Sequence, residues 1–150
     1  MIFMIILKIG GSILTNKDAP ESEVDSVSLK RIASEIKRSL DNSSKELVIV
    51  HGAGSFGHPP AKKYRIGEAF DREEYPQKRL GFCEIQNAVK RLNMLICEEF
   101  ISQGLPVIAV LDELGLFVMR HLQHRPIFAV EQHHALTAED QPAIFLPRQQ

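Results

Sequence analysis

Two glycine-rich segments, Lys8-Ile9-Gly10-Gly11-Ser12 and His51-Gly52-Ala53-Gly54-Ser55-Phe56-Gly57-His58-Pro59, each follow a short apolar run. Glycine lets backbone N–H groups approach an anion closely, and successive N–H groups in a tight turn make a cradle for phosphate oxygens. Lys8 adds an ammonium at a strand end, where the charge of a transferred phosphoryl group would be neutralised. The plainer alternatives are glycines that only turn the chain and a Lys8 that snorkels from the sheet edge into water. Two such loops after two strands favour phosphate chemistry over both.

The second loop is formally G-x-G-x-x-G, the dinucleotide fingerprint, which also needs an acidic residue about 20 positions on at the end of another strand. Asp71, Glu73 and Glu74 lie instead in a polar stretch with no apolar run before them. A Walker A loop fails as well, because His58-Pro59 stands where Lys and Ser or Thr are required. His58 beside Pro59-Pro60 suits a loop cap or a solvent-facing residue, while His51 at the strand end reads as structural. Lys62, Lys63 and Arg65 read as a solvated helix face. His121, His124, His133 and His134 include one H-x-x-H spacing but have no cysteine or carboxylate partner and no clear helical frame, which argues against a metal site.

These groups need elements to position them. Met1 to Ile9 is a nearly continuous apolar run closed by Gly10-Gly11, the pattern of a buried strand covered on both faces. Leu29, Ile32, Ala33, Ile36 and Leu40 recur at helical spacing behind Ser28, a residue suited to an N-cap. Asp41 to Ser44 reads as a turn, and Glu46 to His51 as a second strand, completing a βαβ unit. Pro59 to Tyr64 suits a short helix with proline in its first turn, and Arg65 to Pro76 an irregular charged connection. Ile85, Val89, Leu92, Ile96 and Phe100 mark a long amphipathic helix from near Gln77 to Gln103, stopped by Gly104. Val107 to Leu111 is a third parallel strand; Leu116 to Met119 and Ala143 to Leu146 are further strand candidates, and Val130 to Leu136 a helix candidate. Alternating strands and helices of this kind predict an α/β protein with a mainly parallel sheet.

The 150 residues suit one domain with a substantial core. Eighteen Lys and Arg against nineteen Asp and Glu give a net charge of -1, which excludes general attraction to nucleic acid or an anionic membrane. Met1 to Leu7 is too short to span a bilayer and lacks a basic flank. Cys83 and Cys97, fourteen residues apart on one predicted helix, sit about 21 Å from each other and cannot pair. A reducing cytoplasm is the expected compartment.

Lys8-Ile9-Gly10-Gly11-Ser12, Lys17, the HGAGSFGHP run and Gly81-Phe82 with the helix leading to Gly104-Leu105-Pro106 resemble the N-terminal lobe of the isopentenyl phosphate kinases, within the amino acid kinase superfamily. The resemblance covers about the first 110 residues, with a weaker stretch at Ile127 to Phe145. It implies a three-layer αβα sandwich and transfer of a phosphoryl group from ATP, with Mg2+, to isopentenyl phosphate, giving isopentenyl diphosphate for isoprenoid synthesis. Lys8 would bridge the donor and acceptor phosphates. Gly10, Gly11 and Ser12 would contact ATP phosphates, and Lys17 would hold the β and γ phosphates. Gly52, Ala53 and Gly54 would line the acceptor site, His58 would bind the acceptor phosphate, and Phe82 and Ile85 would flank the isoprenoid tail. A homodimer formed through this lobe is also implied.

Against that pattern, residues 1–150 correspond to a single domain on the acceptor-phosphate side. On this reading residues 112–150 would be a divergent tail, and the nucleotide-binding lobe of the family would be absent. The expectation is therefore a chain that keeps the acceptor site and binds ATP weakly. A catalytically silent phosphate-binding or dimerisation module, or a fosfomycin kinase-like enzyme, are the alternatives.

Overall fold

The computed structural model describes residues 4–19, 21–41, 46–69, 72–110 and 127–131. Strand β1 (Met4–Ile9) leads into the one-turn helix α1 (Gly11–Leu14), and the short strands β2 (Thr15–Asn16) and β3 (Glu23–Val24) follow. Helix α2 (Ser26–Leu40) then crosses to β4 (Glu46–His51), before α3 (Gly54–Lys63), α4 (Tyr75–Ser102), β5 (Val107–Val110) and β6 (Ile127–Glu131). The main sheet has the order β1-β4-β6-β5 and is parallel throughout, while β2 and β3 form a separate antiparallel pair. This is the predicted α/β architecture, with β1-α2-β4 as its βαβ unit.

The parallel register sets Ile9 beside His51, Leu7 beside Ile49 and Ile5 beside Leu47. Side chains alternate across a strand, so these residues share one face of the sheet. Ile9, Leu47 and Ile49 on that face join Leu29, Ala33 and Ile36 of α2 and Leu92, Ile96, Cys97 and Phe100 of α4 in one core. Val48, on the opposite face of β4, is also buried.

Helix α2 begins at Ser26, earlier than the expected start behind Ser28, because its cap is Asp25. The carboxylate of Asp25 accepts from Ser28 N–H at 3.0 Å and from Ser28 Oγ at 2.7 Å. Those bonds hold the Asp25 carboxyl below its usual range. Helix α4 matches its prediction within two residues, and Gly104 ends it with φ of +80°. Cys83 and Cys97 both lie on it.

Three expectations need correction. First, β1 is not covered on both faces: Met4 to Lys8 are exposed, with Ile6 at 69%. Among the described residues β1 pairs only with β4, which makes it the edge of the four strands. An apolar run identifies a strand without saying where in the sheet it lies.

Second, α3 starts at Gly54 rather than Pro59, so Pro59 and Pro60 lie inside it. Pro59 has no N–H to give the carbonyl of Ser55, one turn back. Ser22 Oγ donates to that carbonyl at 2.9 Å, which satisfies the group the proline leaves open.

Third, Val130 and Glu131 belong to a strand, not to a helix over Val130 to Leu136. That strand, β6, lies between β4 and β5, so β5 is not the neighbour of β4. The remainder of that helix candidate, the strand candidates at 116–119 and 143–146, the turn residues 42–44 and His121, His124, His133 and His134 lie outside the described residues.

Candidate functional site

Because β1 and β4 are adjacent and parallel, both glycine loops leave the sheet at the same edge. The ladder continues one residue further, with Gly52 N–H donating to the Ile9 carbonyl at 3.1 Å. Beyond that point the two backbones touch. A Cβ on Gly11 would run into the backbone nitrogen of Gly54 and lie 2.9 Å from the carbonyl carbon of Gly52. Gly54 has φ of +51°, and a Cβ there would collide with Thr15 Oγ1 and come within 2.6 Å of the Gly11 carbonyl oxygen. Only glycine at positions 11 and 54 allows this approach, and the left-handed backbone of Gly54 would add about 1–2 kcal/mol of strain for any residue with a Cβ.

Each loop opens directly into a helix, α1 at Gly11 and α3 at Gly54, and neither N-cap residue, Gly10 or Ala53, caps the helix with its own side chain. The start of a helix presents N–H donors and the positive end of its dipole to an anion, here chiefly the start of the ten-residue α3. The two predicted cradles are thus one composite surface.

Thr15 joins the loops. Its Oγ1 donates to the Gly11 carbonyl at 2.8 Å and accepts from Ser55 N–H at 2.9 Å, with the residue only 3% exposed. The Ser55 hydroxyl is buried and has no hydrogen-bond partner among the described residues. A buried hydroxyl in that condition beside a helix start is a donor available to a bound oxyanion.

The residues predicted to bind phosphate lie on or next to the elements that meet here. Lys8 is exposed, beside Val50 on the neighbouring strand and two residues before Gly10. Ser12 is exposed on α1, and Lys17 is exposed just after β2. The β2–β3 pair that carries Lys17 is tied to the start of α3 by the Thr15 and Ser22 bonds to Ser55.

His58 is exposed on α3, one turn beyond Gly54. Helical side chains lean toward the N-terminus, so the imidazole of His58 leans back toward the Gly54 end. Gly57 packs inward, where a Cβ would lie 2.5 Å from that of Ala53 and 3.7 Å from Val89 Cγ2. Ile85 is half-buried one turn from Val89 on α4, and Phe82 is 45% exposed on the same stripe. These two extend the apolar face that passes under α3. Lys63 fits the predicted solvated face, bonded to Tyr64 Oη at 2.9 Å and lying 3.9 Å from Glu84.

His51 is fully buried, as its structural reading requires. Cys97 Sγ donates to Asn93 Oδ1 at 3.5 Å, and Asn93 Nδ2 lies 3.0 Å from His51 Nε2. Asn93 therefore donates to an unprotonated Nε2, and the imidazole proton sits on Nδ1, 3.3 Å from the Gly52 carbonyl that accepts it. Burial pushes the His51 pKa below its ordinary value, opposed by the contact with Gly52. Burial also pushes the Cys97 thiol up to about 11, so it stays protonated as a donor.

Thr15, Ser55 and Asn93 were missed as parts of the site. Ser55 lies inside the glycine motif, where its residue type alone does not set it apart from an ordinary loop serine. Asn93 was visible as a polar residue beside Leu92 on an apolar helix stripe. Thr15 gave no local signal, because its partner lies 40 positions away.

Comparison with known proteins agrees with this geometry. The model of the amino acid kinase family matches residues 3–138. The isopentenyl phosphate kinase of Methanothermobacter thermautotrophicus is 48% identical over 119 residues, covering 79% of this chain and 43% of that protein. Its counterpart from Methanocaldococcus jannaschii is 42% identical over 113 residues, covering 71% and 42%. The chain thus spans less than half the length of these curated relatives. Among solved structures, an isopentenyl phosphate kinase superposes with a TM-score of 0.74 at 37% identity, over 85% of this chain and 57% of that one. A Thermoplasma acidophilum isopentenyl phosphate kinase product complex, at 23% identity and a TM-score of 0.65 over 85% and 54%, shares the fold. With the loop pair, the parallel sheet and these matches together, the chain belongs to the amino acid kinase family.

Proposed function

We propose that this chain forms the acceptor side of an isopentenyl phosphate kinase, holding isopentenyl phosphate for phosphorylation by ATP. The observation that carries the proposal is the contact of the two glycine loops at Gly11 and Gly54, which gives a donor-side and an acceptor-side anion one shared surface. In this reading the backbone of Gly52, Ala53 and Gly54 and the imidazole of His58 hold the acceptor phosphate. Gly10, Gly11, Ser12 and Lys17 hold the nucleotide phosphates, and Lys8 lies between the two anions. Phe82 and Ile85 flank the apolar tail. The similarity to relatives named isopentenyl phosphate kinase supports this substrate.

The chemistry needs few groups. A phosphate monoester has its second pKa near about 6, so its oxygen is largely anionic at neutral pH and requires no general base. An acceptor oxygen forms a bond to the γ-phosphorus as the bond to the β,γ-bridging oxygen breaks, and ADP leaves with that electron pair. The obstacle is repulsion between two anions, which fixed N–H donors and ammonium groups offset. Mg2+, if carried in by the nucleotide, would supply further neutralisation of the phosphate charge. Among the described residues, no cluster of three or more His, Cys, Asp or Glu side chains is placed to hold a metal alone.

Calorimetric titration of the chain with isopentenyl phosphate, isopentenol, fosfomycin and glutamate tests the acceptor assignment. Isopentenyl phosphate is expected to bind, with affinity reduced at least tenfold in His58→Ala, and isopentenol is expected not to bind. Binding of fosfomycin or glutamate without isopentenyl phosphate would contradict the assignment.

Homodimerisation through this lobe is part of the same proposal. Leu80, Met94 and Ile101 are about half exposed along one side of α4, at multiples of seven residues. Such a stripe suits pairing with a second copy. Among the described residues, no helix is long and apolar enough to cross a membrane. A cytoplasmic enzyme is the proposed setting.

A further inference from the structure

We infer that Thr15 is the positioning residue that sets the spacing between the two phosphate-binding loops, acting through the amide of Ser55; the inference rests on the acceptor-site reading above. A threonine hydroxyl has one proton and two lone pairs. Thr15 spends the proton on the Gly11 carbonyl of the first loop and accepts from the Ser55 N–H at the start of α3. No other described side chain bonds to both segments.

The surroundings make that hydroxyl decisive for distance. Gly11 and Gly54 are already in backbone contact, so the loops cannot come closer. The ladder bond from Gly52 N–H to the Ile9 carbonyl joins the loops at their base, and on the α3 side the bonds that resist separation are those of Thr15 and Ser22 to Ser55. The Ser22 bond is exposed to water, whereas the Thr15 bond to Ser55 is partly buried and comes from a buried side chain, so solvent replaces it less readily.

The two bonds also have unequal alternatives. The Gly11 carbonyl keeps a second donor, the backbone N–H of Thr15 itself. The Ser55 N–H loses its only described acceptor when the hydroxyl is removed. An early-turn amide of α3 would then be free to reorient, and with it the N–H groups of the second loop. Phosphoryl transfer depends on reacting atoms held about 3–3.5 Å apart, so a small separation of the loops would disrupt the acceptor pose while leaving the fold in place.

The test compares Thr15→Val, which keeps the branched shape and removes the hydroxyl, with Thr15→Ser, which keeps the hydroxyl and removes the methyl. Two quantities are measured on the full chain: hydrogen exchange of the Ser55 amide by NMR, and calorimetric affinity for isopentenyl phosphate. Thr15→Val is expected to speed Ser55 exchange at least tenfold and weaken isopentenyl phosphate at least tenfold. Thr15→Ser is expected to stay within threefold of the parent on both, although it loses packing.

A purely structural role would damage both variants according to their loss of stability, so equal damage in Thr15→Ser overturns the inference, including where Thr15→Val does not fold. Unchanged Ser55 exchange in a folded Thr15→Val also overturns it, as does unchanged affinity in that variant when the parent binds. If the parent itself does not bind isopentenyl phosphate, the acceptor assignment fails, and the exchange comparison alone decides whether Thr15 clasps the loops.

Discussion

His51 and His58 stand seven positions apart on the same segment and have opposite surroundings. His58 faces water on α3, whereas His51 is sealed between Asn93 and the Gly52 carbonyl. The folded state keeps His51 neutral below its ordinary pKa of 6.5, while the unfolded chain takes up a proton there. The unfolded state then binds more protons than the native state, so stability declines as pH falls below about 6.5 and this contribution is flat above it. Urea midpoints measured between pH 7.5 and 5.5 are expected to fall more steeply in the parent chain than in His51→Gln, which cannot titrate. Equal slopes would show that His51 is not held neutral. Gly54→Ala is expected to cost about 2 kcal/mol or more in the same measurement, because it combines left-handed strain with collision against Thr15 and Gly11. A loss below about 0.5 kcal/mol would mean that the loops do not touch.

The helices show which local patterns carry through to structure and which do not. α4 was legible because Ile85, Val89, Leu92, Ile96 and Phe100 keep helical spacing and Gly104 ends the run. The start of α3 was not, because glycine and two prolines read as a loop; the Ser22 bond that makes Pro59 acceptable comes from 33 positions away. The same limit applies to strands. β1 and β4 were recognisable as apolar runs, yet the edge position of β1 and the insertion of β6 between β4 and β5 depend on non-local pairing. In the site, Lys8 and the glycines announced themselves by type and spacing, while Thr15 acts only through a contact across the fold. The exposed stripe of α4 supplies a prediction at this scale. Met94→Glu is expected to leave the circular dichroism spectrum and thermal midpoint nearly unchanged while shifting sedimentation from dimer to monomer. A parent chain that sediments as a monomer at all concentrations would remove the proposed pairing.

As a whole molecule, the chain brings both glycine loops to one sheet edge without a general positive field. Its net charge is -1, yet Lys8, the starts of α1 and α3 and a buried serine hydroxyl lie at or just beyond the carboxyl ends of two neighbouring parallel strands. Open α/β sheets bind ligands at that edge. The sheet brings the two loops together, glycine allows the contact, and Thr15 fixes it. On this arrangement we propose a preformed site for a phosphate monoester whose binding does not depend on nucleotide. Separate calorimetric titrations of the 150-residue chain with isopentenyl phosphate and with ATP test it most directly. Saturable binding of isopentenyl phosphate in the absence of ATP is the expected result; binding of ATP with no binding of isopentenyl phosphate would overturn the assignment.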